Sequence, residues 1–308
     1  MTAPSGAAGQ RPTQGTFAGM PTPLYAASPS RLVSWLDCPR RYRMQYLDRP
    51  RPPARPQRAH TSIGITIHNA LRDWWLQPRR TPEAAARLVD SAWIDVGFRD
   101  AAQSREWKTR VTGEVTAYLE GVDPGREPIG LERTAAFKTE TLAFSGRIDR
   151  VDDRDGSLVV IDYKTGRRPL SDTDARTSLP LALYAAAVWK TLRRRCVRVE
   201  LHHVPSGSLA AFEHSDASLV AKVREAESIA RDLRRADAAY RTGLTGEADP
   251  QEVDTAWFPP RLSPLCRWCD YRAHCPQGQT VGPEHSSWAA LEASPTEPVP
   301  DPDVEGAP

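Results

Sequence analysis

Apolar residues recur at helical spacing through the first third of the chain and at alternating spacing through its middle. Ser28 or Ser30 can cap a helix predicted from about Pro29 to Leu47, with Leu32, Val33, Leu36, Tyr42 and Tyr46 as its buried candidates. A Pro/Arg linker follows. A second helix is predicted over 62–76 (SIGITIHNALRDWWL), Pro82 opens a third, and Ser104 caps a fourth that reaches Tyr118 and Leu119. The period then changes. Residues 129–137, 140–152 and 157–164 read as strands, the last two joined by Asp-Arg-Asp-Gly, a strong hairpin signal. A Leu/Ala-rich helix over 178–194, strands over 197–204 and 209–214, and a long polar helix over 218–240 complete the pattern. Helices flanking a central mixed sheet predict an α/β architecture.

Residues 1–27 and roughly 279–308 are rich in Pro, Ala, Gly and Ser or acidic, and read as disordered tails. One domain is left over 28–278. It divides into a mainly helical part (28–128), a sheet-bearing part (129–214), and a helix followed by a Cys-rich segment (215–278).

With 308 residues, 40% of them apolar, the chain can bury a core without disulfide staples. Its mean hydropathy of −0.53 and its lack of a long apolar run predict no membrane span. The first twenty residues hold no apolar signal-peptide core. This predicts a cytoplasmic protein, where clustered cysteines favour metal binding over disulfides. The net charge of +2 hides an asymmetry, because residues 279–308 carry six acids and no base, leaving +8 on residues 1–278. Residues 40–58 hold seven arginines against Asp48 alone. The run suits phosphate contacts, with Arg40, Arg41 and Arg43 as candidate DNA-binding residues. A solvated surface is the alternative, since only five of the 41 basic residues are Lys.

If Asp155-Gly156 is a two-residue turn, Arg154 faces Ser157 and Asp149 faces Asp162. Like charges opposed across a hairpin repel, and a divalent cation between them would compensate. Hard oxygen ligands suit Mg2+ or Mn2+. Lys164, two residues beyond Asp162, shares its face and could orient or deprotonate a water, or stabilise charge on a phosphate oxygen. A plain surface pairing of Asp149 with Arg147 or Arg150 is the competing possibility.

Gly146-Arg147-Ile148-Asp149-Arg150 followed by Val160-Ile161-Asp162-Tyr163-Lys164-Thr165-Gly166 resembles the nuclease signature of the PD-(D/E)XK superfamily, specifically its RecB-like branch. That branch also has an upstream G-x-x-x-H helix, matched by Gly64-Ile65-Thr66-Ile67-His68. The resemblance implies a restriction-endonuclease-like core. It further implies that His68, Asp149, Asp162 and the Tyr163 main-chain carbonyl bind the catalytic metal, with Lys164 completing the site. The family's Q-L-x-x-Y reads Pro180-Leu181-Ala182-Leu183-Tyr184 here, keeping Tyr184 as an accessory residue. Pro180 cannot make the hydrogen bond of the amide it replaces, and it suits the first turn of a helix. Glu132 stands where relatives often carry Glu, either beside the metal ligands or as a surface strand residue.

Cys266-x2-Cys269-x5-Cys275-Pro276 is compact, and Cys38-Pro39 lies more than two hundred residues upstream. A zinc ribbon uses two close pairs, whereas four thiolates also suit an iron-sulfur cluster. Ser28-Pro29-Ser30-Arg31-Leu32 through Cys38-Pro39-Arg40-Arg41-Tyr42 resembles the iron-sulfur subgroup of RecB-like nucleases. This implies a 4Fe-4S cluster on Cys38, Cys266, Cys269 and Cys275 that pins the first helix to the C-terminal segment. Zinc on the same thiolates is the alternative. Cys196 reads as a buried free thiol.

The resemblance implies a metal-dependent DNA nuclease of exonuclease type, hydrolysing phosphodiester bonds on single strands or ends in repair or recombination. Trp74, Trp75 and Tyr184 could stack on unpaired bases, with core packing the alternative. No G-x-x-x-x-G-K-[ST] occurs, so unwinding would need a helicase partner. A DNA-binding scaffold with a decayed site, motivated by Pro180, and a CRISPR-associated nuclease are the competing functions.

Overall fold

A computed structural model describes residues 23–293 together with Val299 and Pro300. Ser28 caps α1 (Pro29–Asp37) by accepting a hydrogen bond from the Arg31 N–H. The predicted single helix breaks at Cys38, whose extended backbone separates α1 from α2 (Pro39–Tyr42) and a π-helical turn over Arg43–Leu47. Pro39 explains the break, because its ring disfavours helical backbone at the residue before it. Three helices follow: α3 (Ala59–Trp75), α4 (Pro82–Ala92) and α5 (Ala101–Glu120), the last capped by Asp100 instead of Ser104.

Six strands form one mixed sheet. They are β1 (Tyr25–Ala27), β2 (Gly130–Lys138), β3 (Leu142–Arg154), β4 (Ser157–Lys164), β5 (Cys196–His203) and β6 (Ser208–Glu213). Strand β4 is buried on both faces through Leu158, Val159, Val160 and Ile161, as expected of a central strand. Asp155 and Gly156 both adopt left-handed backbone, the geometry of a two-residue hairpin turn, and Arg154 pairs with Ser157 as the arithmetic requires. The β3–β4 pairing runs to Arg150–Ile161, whose continuation sets Asp149 opposite Asp162.

After β4 come α6 (Asp172–Thr177) and α7 (Leu179–Leu192), which crosses to the parallel strand β5. Ser178 caps α7, and Pro180 occupies its first turn. Leu181, Leu183, Ala185 and Val188 of α7 join one core with Phe144, Ile148, Val160 and Val199. Helix α8 (Asp216–Thr245) packs against α7 and also against β1 and β3, and is longer at both ends than its predicted span. On the other face Ile67, Leu71, Trp74 and Trp75 of α3 pack with Val159, Ile161 and Tyr163. Helix α9 (Pro250–Trp257) leads to the cysteine segment, then α10 (Pro276–Gln279) and α11 (Ala289–Glu292). The mixed sheet flanked by helices is the α/β fold that the sequence pattern predicts.

Both predicted tails contain ordered structure. Tyr25–Ala27 pairs in parallel with Leu142–Phe144, a long-range contact that a three-residue apolar stretch cannot announce. Residues 279–293 fold back over the molecule: Ala59 N–H donates to Ser287 O, His285 stacks on Trp268, and Ala290 is buried. Most of the remainder of both predicted tails lies outside the described residues. Among the described residues no helix is long and apolar enough to cross a membrane.

Strands β1 and β4 lie on the same edge of β3, opposite β2. They leave a gap in that edge over Ser145–Asp149, and the candidate site forms beside it.

Candidate active site and cysteine seam

Within the gap, Asp149 turns its carboxylate onto the neighbouring strand. Its Oδ2 accepts a hydrogen bond from Tyr163 N–H at 2.8 Å, a main-chain donor that ladder pairing would otherwise use. Helix α3 brings His68 Nδ1 to 3.4 Å from Asp149 Oδ1. From the other side comes Glu132, set opposite Asp149 by the flanking pairs Leu131–Arg150 and Arg133–Ile148. Glu132 has a φ of 46°, the left-handed region that a residue with a Cβ seldom adopts. Such strain costs about 1–3 kcal/mol and concentrates at functional sites. His68, Glu132 and Asp149 each offer a ligand atom, all within 4.8 Å of one another. Burial and the adjacent Asp149 push the Glu132 carboxyl above its ordinary range, an instability that a bound cation would relieve.

Asp162 and Lys164 stand on the next strand, with Lys164 Nζ 2.9 Å from Asp162 Oδ2. Tyr184 reaches the same place from α7. A Cβ on Gly146 would lie 2.6 Å from Tyr184 Cε1, so glycine at this position is what admits the ring. Burial, then the charges of Asp162 and Asp149, push the Tyr184 phenol up, so it remains a donor at neutral pH. Three acids from three adjacent strands thus converge with one imidazole, one ammonium and one phenol. The donor set, two or more carboxylates and an imidazole, suits a divalent ion such as Mg2+ or Mn2+.

A model of the PD-(D/E)XK nuclease superfamily matches residues 26–276. The chain belongs to that superfamily. No curated protein matches it. Two solved structures resemble the nuclease at low identity. One is a candidate exonuclease from Eubacterium rectale, with 9% identity, 81% of this chain and 88% of that chain covered, and a TM-score of 0.42. The other is SSO0001, with 13% identity, 83% and 88% coverage, and a TM-score of 0.34.

The nuclease brings together His68, Asp149, Asp162, Lys164 and Tyr184, the residues singled out from the sequence. It differs from the sequence expectation in which acid completes the tightest group, which is Glu132 and not Asp162. The surface-pairing alternative for Asp149 does not describe the site. Arg147 pairs with Glu132, and Arg150 is buried against Asp152 with its guanidinium 3.9 Å from the Trp75 ring centre. Trp74 and Trp75 are core residues and not stacking platforms for bases. Both are almost fully buried, and their indole N–H groups donate to Thr81 O and Tyr163 Oη.

The arginine run, expected to suit phosphate contacts, is drawn largely into pairs within the chain. Arg40 and Arg43 both pair with Asp254 of α9, Arg43 also with Asp48, and Arg41 with Asp37. Arg51 donates to Tyr271 Oη, Arg55 pairs with Glu284, and Arg58 with Asp270 and the Trp268 carbonyl. Arg40, Arg41 and Arg43, expected from the sequence as DNA contacts, are ion-paired side chains, and Arg40 and Arg43 stitch α2 and the π turn to α9. Sequence alone hides this because their partner Asp254 lies more than two hundred residues away.

The same seam gathers four cysteines. The Arg261 main chain donates to Cys38 Sγ and lies 3.7 Å from Cys266 Sγ through its carbonyl. Ser263 N–H points at Cys266 Sγ, and Gly278 N–H at Cys275 Sγ, at 3.5 and 3.3 Å. Burial pushes the Cys269 thiol up to about 11, and nearby Cys38 adds to that shift. Met44 of the π turn packs against Tyr271 and Cys275. Four sulfurs from the two ends of the chain, three of them facing N–H donors, fit a thiolate-ligated metal group. Cys196 stands apart, fully buried at the start of β5, where burial pushes its thiol up to about 12.

Proposed function

We propose that this nuclease is a Mg2+- or Mn2+-dependent deoxyribonuclease of the RecB-like branch, acting on single strands or DNA ends in repair or recombination. The observation that carries the proposal is the convergence of Glu132, Asp149 and Asp162 from three adjacent strands on His68 and Lys164. His68, Glu132 and Asp149 would hold the ion, with Asp162 and the Tyr163 carbonyl as the further ligands expected from the sequence. A divalent ion bound there would supply a nucleophilic water at neutral pH and offset charge on the scissile phosphate.

The remaining work belongs to the chain's own side chains. Lys164 is held in place by Asp162 and presents its ammonium to the reacting phosphate, where it offsets developing negative charge. Tyr184, kept protonated, donates a hydrogen bond to a phosphate oxygen. Asp149 is fixed by Tyr163 N–H, which restricts its carboxylate to one orientation. Pro180 supplies no polar group. Its place in the first turn of α7 leaves Tyr184, one turn on, aimed at the site.

Cys38, Cys266, Cys269 and Cys275 would hold a 4Fe-4S cluster, with main-chain N–H groups facing three of the four sulfurs, and its role would be to join the two ends of the chain. Protein purified without oxygen and given end-labelled single-stranded, duplex and circular DNA tests the function. Metal-dependent release of short products from linear single strands, with circles left intact, is the expected result. Binding without cutting would favour a scaffold.

A further inference from the structure

One cation in the site stands apart from the rest. Arg147 Nε lies 2.7 Å from Glu132 Oε2, yet its side chain is 63% exposed. It reaches in from solvent to neutralise the most strained and crowded acid of the group. Several neighbouring arginines are held more firmly. Arg150 is buried on Asp152, Arg40 and Arg43 share Asp254, and Arg72, one turn beyond His68, is tied to Asp73 and Asn69.

Glu132 belongs to the same group as His68 and Asp149, so a divalent ion held there would lie only a few ångströms from the Arg147 guanidinium. Two cations would then compete for one carboxylate. The exposed one gives way, because an exposed ion pair is weak and the released side chain is readily solvated. A guanidinium freed beside a metal site and Lys164 has an obvious new partner in a phosphate group, which its planar fork can grip with two hydrogen bonds.

We propose that Arg147 is a placeholder: it neutralises Glu132 while the metal is absent and passes to a substrate phosphate when the metal binds. The inference rests on the nuclease function proposed above and adds to it a coupling between metal and substrate. Metal strengthens DNA binding by releasing Arg147, and by linkage DNA strengthens metal binding by capturing it. Arg147 is then a substrate-positioning residue.

The two halves of this handover respond to one substitution in opposite directions. In Arg147→Gln, Mn2+ alone should bind about two- to fivefold tighter, the range an exposed ion pair supports. Calorimetry of the full-length protein reads this without any cutting. In a Lys164→Ala background, a fluorescein-labelled single-stranded oligonucleotide with Mn2+ present should bind about tenfold more weakly once Arg147→Gln is added. The dependence of log affinity on log salt should become shallower by about 0.7, one phosphate contact on a single strand. Without metal the two proteins should bind the oligonucleotide alike. Unchanged or weaker Mn2+ binding by Arg147→Gln would overturn the placeholder. So would an equal loss of oligonucleotide affinity with and without Mn2+, which would make Arg147 a constant contact. Metal-dependent cutting that survives Lys164→Ala would instead refute the underlying nuclease site, whatever the Mn2+ titration gives.

Discussion

The active-site gap and the cysteine seam both concentrate charge, and they resolve it in opposite ways. Along the seam Arg40, Arg43, Arg55 and Arg58 each meet a carboxylate or a carbonyl from a distant part of the chain, so their charges are matched in partly buried pairs. In the gap three acids crowd together, with a lysine on one and an exposed arginine on another. The seam's arginines are already matched by partners within the chain, whereas the gap is arranged around a charge it does not supply. A dense run of arginines therefore points to architecture here, and a short row of acids points to chemistry.

Substituting each region should separate these roles. Asp149→Asn removes the negative charge beside His68 and Glu132 while leaving an oxygen that can accept from Tyr163 N–H. We expect cutting to fall by about 10³-fold, within the range for losing a positioned catalytic group, while the melting temperature is kept or raised. Retained activity would place the chemistry elsewhere. Cys269→Ser should do the reverse damage, with loss of iron and sulfide, loss of the absorbance band near ~400 nm expected of an iron-sulfur protein, and a large drop in thermal stability. A mutant with unchanged melting would show that the seam needs no cluster.

Asp254→Ala leaves Arg40 and Arg43 without their shared partner. Stability should fall by about 1–3 kcal/mol, the cost of stranding partly buried charged donors, with no change in Mn2+ affinity. Glu132→Gly is the most diagnostic small change. It relieves left-handed backbone strain and like-charge crowding, so the metal-free protein should gain about 1 kcal/mol in chemical denaturation while its Mn2+ affinity falls. Loss of stability together with metal affinity would mean that Glu132 supports the fold. Smallest of all, Arg40→Gln should leave the salt dependence of DNA binding unaltered. A shallower slope, by about 0.7, would restore Arg40 as a phosphate contact.

How much could be read before the fold was seen follows from how local each signal is. The hairpin was legible because Asp155 and Gly156 carry the turn in two adjacent residues, and the turn then fixes register over the whole strand pair. Asp149, Asp162 and Lys164 followed from that register. His68 needed the family pattern, since an imidazole on a largely buried helix is mute without its partner strand. Glu132 was visible as a carboxylate, but its left-handed backbone and its place among the ligands arise from pairing with β3. Strand β1 and the C-terminal strap over 279–293 escaped because each depends on partners far away in sequence, Leu142–Phe144 for the first and Arg55 and Ala59 for the second. The partners of the arginine run were hidden for the same reason. The run's charge is plain in the sequence, whereas Asp254, Asp270 and Glu284 are scattered over two hundred residues away.

The central claim is that Lys164 and the carboxylate row cut DNA with the help of a divalent ion. Wild-type protein and Lys164→Ala, purified side by side and given an end-labelled single-stranded oligonucleotide with Mn2+, test it most directly. The wild type should cut, stop when the ion is chelated, and exceed the variant by at least about a hundredfold. Equal cutting by the two proteins, or cutting that persists in chelator, would contradict it.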